Sequence, residues 1–139
     1  MGLDMYLTAV RDVSPERKEA LRSIFPEAEI ETVSTTIGYW RKVNAIHAWF
    51  VRNVQSGEDD CRAHHVDREE IETLLGLVEE VLEKKRKPEE ALPTWVGPFF
   101  GDTAYDQGYF DEMGRSKTIL EQARNLSESG WRVAYQSSW

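Results

Sequence analysis

The chain has 139 residues and a net charge of −8 at pH 7, which comes from 25 acidic and 17 basic side chains. This length is typical of one domain, so we expect a single domain over residues 1–139. The acidic balance argues against a broad nucleic-acid surface, and no apolar run approaches the roughly 20 residues of a membrane span. The single cysteine, Cys61, cannot form an internal disulfide, which favours a reducing, cytoplasmic setting.

The first elements of the chain are predicted from alternation and from cap residues. Apolar and polar side chains alternate over residues 3–10, which predicts a half-buried strand. Ser14 and Pro15 supply an N-cap and a first helical residue for a helix over residues 15–25. The β-branched residues that follow predict a second strand over residues 28–36.

The most informative stretch is residues 39–54, for which the spacing of apolar side chains predicts a helix. Steps of three and four put one set of residues on a single face: Trp40, Val43, Asn44, His47, Phe50, Val51 and Val54. Asn44 and His47 are polar neighbours within that apolar face. Because an unpaired buried polar group costs roughly 1–3 kcal/mol, both need partners. Two interpretations stay open: a satisfied core pair, or the floor of a pocket with Arg41 and Lys42 at its rim.

The second half of the chain begins with a polar loop over residues 55–65. Asp67 then caps a helix over residues 67–86, with Glu70 three positions later as in a capping box. The only basic run, residues 84–87, falls at the C-terminus of this helix, where cations complement the macrodipole. That position accounts for the run without a nucleic-acid partner.

The last third holds an aromatic loop, a helix and a strand. Residues 94–106 contain four aromatic side chains, which either hold the loop on the core or line a pocket. A helix is predicted over residues 106–127 and a strand over residues 131–138. The elements together predict an α+β fold, with a small antiparallel sheet of about three strands packed against about four helices. The first and last strands are expected to be neighbours in this sheet.

Candidate ligand-binding residues combine aromatic stacking faces with cationic and amide donors: Tyr39, Trp40, Arg41, Lys42, Asn44, His47, Tyr105 and Tyr109. Aromatic faces with cationic donors suit a small anionic, nucleotide-like ligand. The same set also describes an ordinary aromatic core whose basic side chains reach the surface. Cys61, His64 and His65 form only half of a zinc motif, so we expect no metal site. No cofactor motif and no catalytic residue can be assigned.

Four segments of the chain resemble a known family: residues 2–7, 37–50, 54–61 and 135–139. They include Gly-Leu-Asp-Met-Tyr-Leu at the start and Tyr-Gln-Ser-Ser-Trp at the end. The resemblance is to a family of small, functionally uncharacterised proteins from bacteriophages and prophages, and it covers most of the chain. It implies a phage-type accessory protein in the cytoplasm of the host cell. Some phage proteins of this size block host defence by sequestering a nucleotide signal or by occupying a host protein.

The leading hypothesis is therefore an accessory protein that binds a small anionic ligand, with a host nucleotide signal among the candidates. One alternative is a phosphoester or nucleotide hydrolase that uses His47 as its general base. Another is an acidic inhibitor that binds a host protein. The residues favour binding without turnover but do not exclude an enzyme. They are compatible with a homo-oligomer and indicate neither a membrane nor a nucleic-acid partner.

Overall fold

A four-stranded antiparallel sheet packed against helices forms the fold in a computed structural model that describes residues 2–139. The strand order is β2-β1-β4-β3. The elements are β1 (Asp4–Asp12), α1 (Pro15–Ile24), β2 (Thr32–Arg41), α2 (Asn44–Asn53), β3 (His64–Val66), α3 (Arg68–Leu82), α4 (Pro88–Ala91), α5 (Gln107–Glu128) and β4 (Arg132–Ser138). The predicted α+β class is confirmed, and β1 and β4 are neighbours as expected. The described part of the chain has one strand and one short helix more than predicted.

One face of the sheet is covered by helices and the other meets solvent. Strand alternation points Met5, Leu7 and Ala9 of β1 towards the helices, where each is buried. Tyr6 lies on the opposite face and is 40% exposed. Tyr135 of β4 continues the buried face. Apolar side chains of α2, α3 and α5 complete a single core against this face, as is usual for an antiparallel sheet with one solvated side.

Side-chain caps define the start of three helices, whereas α2 and the four-residue α4 have none. Ser14, Asp67 and Asp106 each accept a hydrogen bond from a backbone N–H in the first turn of α1, α3 and α5. The capping box predicted for Asp67 and Glu70 is present. By contrast, α2 follows Val43 with neither a side-chain cap nor an acidic residue in its first turn. The first N–H groups of α2 therefore lack the usual partner.

The predicted helix over residues 39–54 is wrong in its first part. The strand β2 extends to Arg41, well beyond the predicted range 28–36, and the helix begins only at Asn44. Lys42 joins the two elements in the left-handed region, with φ at 58°. A strand residue followed by a turn and a helix can satisfy steps of three and four by coincidence. The periodicity alone could not separate that arrangement from one continuous helix.

Trp40 belongs to the core because of strand alternation and not because of helical spacing. Its side chain is 0% exposed, and its indole N–H donates a hydrogen bond to Ser116 Oγ at 2.8 Å. Gly38, two residues earlier, faces α5: a Cβ atom there would lie 2.4 Å from Ile119 Cγ2. The glycine therefore lets α5 approach β2 closely.

The polar loop predicted over residues 55–65 ends in the short strand β3, which pairs with β4. Three residues are too few for alternation to indicate a strand. The helix predicted over residues 67–86 ends earlier, at Leu82, so the basic run follows the helix instead of forming its last turn. No helix in the described part of the chain combines the length and the apolar character that a membrane span requires.

Candidate functional site

The eight predicted ligand-binding residues lie in three parts of the structure. Four line one cleft between the β2–α2 turn and the start of α5: Arg41, Lys42, Asn44 and Tyr109. Two are fully enclosed by the core: Trp40 and His47. Two do not line the cleft, and more than a third of the surface of each is exposed: Tyr39 and Tyr105. The cleft is therefore the place where predicted binding residues come together.

The cleft has a volume of about 290 Å³ and carries both signs of charge on its walls. Arg41 and Lys42 supply the cations, while Asp102, Asp106 and Glu112 supply the carboxylates. The carboxylates already have partners in the protein. Asp102 and Asp106 accept backbone N–H hydrogen bonds, and Glu112 forms an ion pair with an arginine of α5. Their charge still limits how negative a ligand in the cleft can be.

The two cations of the cleft differ in their partners. Arg41 Nη1 lies 2.7 Å from Asp4 Oδ1, which also accepts a hydrogen bond from the Tyr39 hydroxyl. The Tyr39 hydrogen bond and then the Arg41 contacts lower the pKa of Asp4. Among the described residues, no carboxylate oxygen lies within 4 Å of Lys42 Nζ. Lys42 is thus a cation without a carboxylate partner among the described residues, and it lies beside the start of α2, which has no side-chain cap.

Asn44 forms part of the cleft wall, but its side-chain amide is hydrogen-bonded to the aromatic loop. Its Nδ2 donates to the carbonyl oxygens of Phe100 and Asp102, at 3.1 and 2.9 Å. Its Oδ1 accepts a hydrogen bond from the Trp95 backbone N–H at 2.9 Å. Both donors of the amide are therefore used, as a buried amide requires. This geometry agrees with the interpretation of Asn44 as a satisfied core residue.

Two of the three tyrosines of the predicted set, Tyr105 and Tyr109, support the same loop. The Tyr109 hydroxyl donates to the Leu92 carbonyl oxygen at 2.7 Å, and burial raises the pKa of Tyr109. The Tyr105 hydroxyl accepts from the Thr94 backbone N–H at 3.1 Å. Their rings meet edge to face with centroids 5.2 Å apart. Both side chains thus hold the cleft wall in place.

His47 is the centre of a buried chain of hydrogen bonds. Its Nδ1 lies 2.7 Å from the Tyr135 hydroxyl and its Nε2 lies 2.9 Å from Asp59 Oδ2. Burial lowers the pKa of His47, an effect that Asp59 partly offsets. Neutral His47 satisfies both contacts when Nε2–H donates to Asp59 and the Tyr135 hydroxyl donates to Nδ1. Burial also raises the pKa of Tyr135, which keeps its proton on the hydroxyl.

Aromatic rings cover the His47 end of this chain, while the Asp59 side chain at the other end is 14% exposed. The Trp95 ring stacks on His47 with centroids 5.9 Å apart, and Phe100 meets it edge-on at 5.3 Å. With both nitrogens engaged, His47 presents no atom to a substrate in this conformation. The geometry therefore gives no support to the hydrolase hypothesis and suits a structural role. Neither Asp59 nor Tyr135 could be found from the sequence, because their chain positions give no local signal of contact with His47.

The predicted polar loop around Cys61 is ordered by hydrogen bonds. His64 Nε2 lies within hydrogen-bond distance of Asp60 Oδ1, at 2.9 Å, and Gln136 Nε2 donates to the Cys61 carbonyl oxygen at 3.1 Å. His65 is exposed on β3. Within residues 2–139, no group of three or more His, Cys, Asp or Glu side chains is arranged to hold a metal ion.

The cleft beside Lys42 is thus the candidate site, and the His47 chain is part of its structural support. The relation between them is physical, since Trp95 and Phe100 contact His47 and also bond to Asn44 through their backbones. The chain matches no protein-family model, and no curated protein or solved structure is significantly similar to it.

Proposed function

We propose that the protein binds a small ligand with a compact anionic group at the start of α2. The observation that carries the proposal is the uncapped N-terminus of this helix, which opens into the cleft beside Lys42. The first-turn N–H groups and the positive end of the helix dipole attract anions. Lys42 adds a full positive charge that no carboxylate of the described residues neutralises.

The opposite wall defines the rest of the ligand. Asp102, Asp106 and Glu112 repel additional negative charge and favour hydrogen-bond donors or a cationic group. A nucleoside triphosphate therefore fits poorly, whereas a nucleoside monophosphate or a cyclic nucleotide matches both walls. The cleft volume of about 290 Å³ is close to the lower limit of about 300 Å³ for small-molecule pockets. A mononucleotide-sized ligand is the largest that it suits.

The proposed role is that of a cytoplasmic, phage-type accessory protein that sequesters such a nucleotide and so counteracts a host defence signal. The resemblance to phage and prophage proteins supports the biological setting, and the cleft supports the ligand class. The engaged nitrogens of His47 favour sequestration over turnover. Inhibition of a host protein through the acidic surface is the remaining alternative, and it requires no small ligand.

Titration calorimetry with nucleoside monophosphates, triphosphates and cyclic nucleotides tests the ligand class. We expect binding of a monophosphate or cyclic nucleotide and weaker binding of triphosphates. In Lys42→Ala the affinity should fall roughly 10- to 150-fold, which corresponds to the loss of one charge-assisted hydrogen bond. Lys87→Ala is the matched control, because Lys87 is exposed and lies outside the cleft. Chromatography of the same mixtures should show unchanged nucleotide.

The proposal fails if none of these nucleotides binds. It also fails if Lys42→Ala binds the ligand as tightly as the parent protein, because the site would then lie elsewhere. Product formation in the chromatograms would instead favour the hydrolase hypothesis. A stable complex recovered with a host protein, without heat from any nucleotide, would favour the acidic inhibitor.

A further inference from the structure

The outer edge of β2 is an unpaired edge of the sheet. In the order β2-β1-β4-β3, one side of β2 has no neighbouring strand. Residues 32–36 are all exposed, and none of them is charged. Exposed edges without charge are prone to pair with another strand, so proteins usually protect them. The opposite edge, β3, has only three residues and offers much less to pair with.

The backbone of β2 presents its outward hydrogen-bonding groups at alternate residues. The Val13 N–H donates to the Glu31 carbonyl oxygen at 2.9 Å. This hydrogen bond establishes which residues of β2 direct their backbone N–H and C=O groups towards β1. In an antiparallel ladder, alternate residues point both groups towards the partner or away from it. The β1–β2 register therefore directs the N–H and C=O groups of Thr32, Ser34 and Thr36 away from β1.

An apolar groove reaches this edge at Val33, and further apolar side chains are exposed at the end of α1. Helix α1 has no buried residue, and Ile24 and Phe25 at its end are 65% and 45% exposed. Val33 of β2 is 37% exposed and lines a groove of about 540 Å³ with Leu21 of α1. An unpaired strand edge and an apolar groove thus occur together, a combination typical of an interaction surface.

We infer that β2 pairs with β2 of a second copy of this chain, in an antiparallel, two-fold symmetric dimer. With Ser34 opposite Ser34 of the other copy, Thr32 lies opposite Thr36. This register pairs every outward N–H and C=O group of the exposed segment with its counterpart. A shift of the two-fold axis by one residue in either direction leaves some of these groups unpaired. The two sheets then continue into one another.

The charges at the two ends of β2 select a second copy in this orientation. Glu27, Glu29 and Glu31 precede the uncharged segment, whereas Arg41 and Lys42 follow it. Antiparallel self-pairing directs the acidic end of each strand towards the basic end of the other, whereas parallel pairing would bring like charges together. Glu29, Glu31 and Arg41 keep their ion pairs with Arg22, Lys18 and Asp4 of their own chain, so the charges favour this orientation without forming new ion pairs. Because each β2 carries both an acidic and a basic end, a second copy of the same chain is the occupant that matches this pattern.

A contact from α5 limits how far the pairing extends. Arg115 Nη2 donates to the Tyr39 carbonyl oxygen at 2.7 Å, so this part of the β2 edge already has a partner. The segment left for a second copy is residues 32–36, the same residues that the proposed register joins. The pairing therefore requires no displacement of an existing hydrogen bond.

The mass of the untagged protein in solution tests the inference directly. Size-exclusion chromatography with light scattering, at near-physiological salt, should give twice the chain mass of 16.1 kDa. The double variant Thr32→Lys/Thr36→Lys puts like charges opposite one another and should raise the dissociation constant roughly tenfold or more. The matched variant Thr32→Lys/Thr36→Glu puts opposite charges in the same places and should remain a dimer.

Each outcome has a defined meaning. A monomeric parent protein at all accessible concentrations overturns the inference. A dimer that survives the Lys/Lys change, or that is lost equally in the Lys/Glu variant, overturns the proposed β2 pairing. If the Lys/Lys variant does not fold, amide exchange of the parent protein decides: exchange in residues 32–36 should slow as concentration rises. Exchange that does not depend on concentration there contradicts the dimer.

Discussion

Removing the hydroxyl of Tyr135 tests the buried hydrogen-bonded chain without changing the shape of the core. The ring stacks on Phe50 with centroids 3.9 Å apart, and a phenylalanine keeps that contact. The hydroxyl itself lies 2.7 Å from His47 Nδ1. Tyr135→Phe therefore removes one donor and leaves one buried acceptor without a partner.

The expected cost comes from that unpaired acceptor. Water cannot replace the lost donor, since Tyr135 and His47 are both 0% exposed. Leaving a buried polar group unsatisfied costs about 1–3 kcal/mol, and we expect the free energy of unfolding to fall by this amount. Urea denaturation measures it, with an unchanged dependence on denaturant concentration. Tyr6→Phe is the matched control: its exposed ring should make the change smaller than about 0.5 kcal/mol.

A Tyr135→Phe variant as stable as the parent protein would refute the reasoning, because the hydroxyl would then make no net contribution. A double-mutant cycle adds a second criterion. Once His47→Leu has removed the acceptor, Tyr135→Phe should cost much less than it does in the parent protein. Strictly additive losses would show that the two side chains do not interact.

Two further predictions concern Asn44 and His47. Asn44→Asp keeps the shape of the side chain but turns an acceptor towards two carbonyl oxygens of the aromatic loop; the free energy of unfolding should fall by more than about 2 kcal/mol, while the same amide-to-carboxylate change at an exposed position, Gln122→Glu, changes it little. Burial lowers the pKa of His47 below its ordinary value of 6.5, so the unfolded chain binds this proton first. Stability should therefore fall as pH drops from 6.5 towards the folded-state pKa, by at most about 1.4 kcal/mol per unit. In chemical denaturation across this range, His47→Gln should lose that component and His65→Gln should keep it; an unaltered pH dependence in His47→Gln would contradict the assignment.

The helix α3 and the strands β1 and β4 could be predicted because each signal is local. In α3 the capping box of Asp67 and Glu70 precedes a regular apolar stripe, and both features depend on residues a few positions apart. Alternation in β1 and β4 is equally local. The boundary between β2 and α2 depends instead on pairing of Trp40 with Met5, a contact between distant residues. Short-range spacing contains no information about that pairing.

The candidate site shows the same division. The sequence places Asn44 and His47 as polar neighbours within an apolar face, and the structure puts both in the buried part of α2. The partners of His47 come from Asp59 and Tyr135, and residue separations of 12 and 88 explain why spacing could not indicate them. The uncapped start of α2 could not be predicted for another reason: the spacing of apolar residues places the start of the helix at residue 39 instead of at Asn44. As long as the helix is placed too early in the chain, its first turn cannot be recognised.

Asn44 is both a buried core residue and a residue that shapes the candidate site. Its amide is used entirely by the aromatic loop, yet those bonds position Asp102 and the adjoining residues that form one wall of the cleft. Lys42 differs, because it packs against Gly101 of the loop through its Cβ atom, which Lys42→Ala retains, while the hydrogen bonds of the loop go to Asn44 and not to the Lys42 ammonium. Loss of Asn44 should therefore reduce stability and ligand affinity together, while loss of Lys42 should reduce affinity alone. Such a separation is what a preorganised site requires, with rigid buried groups that shape the cleft and an exposed cation that binds.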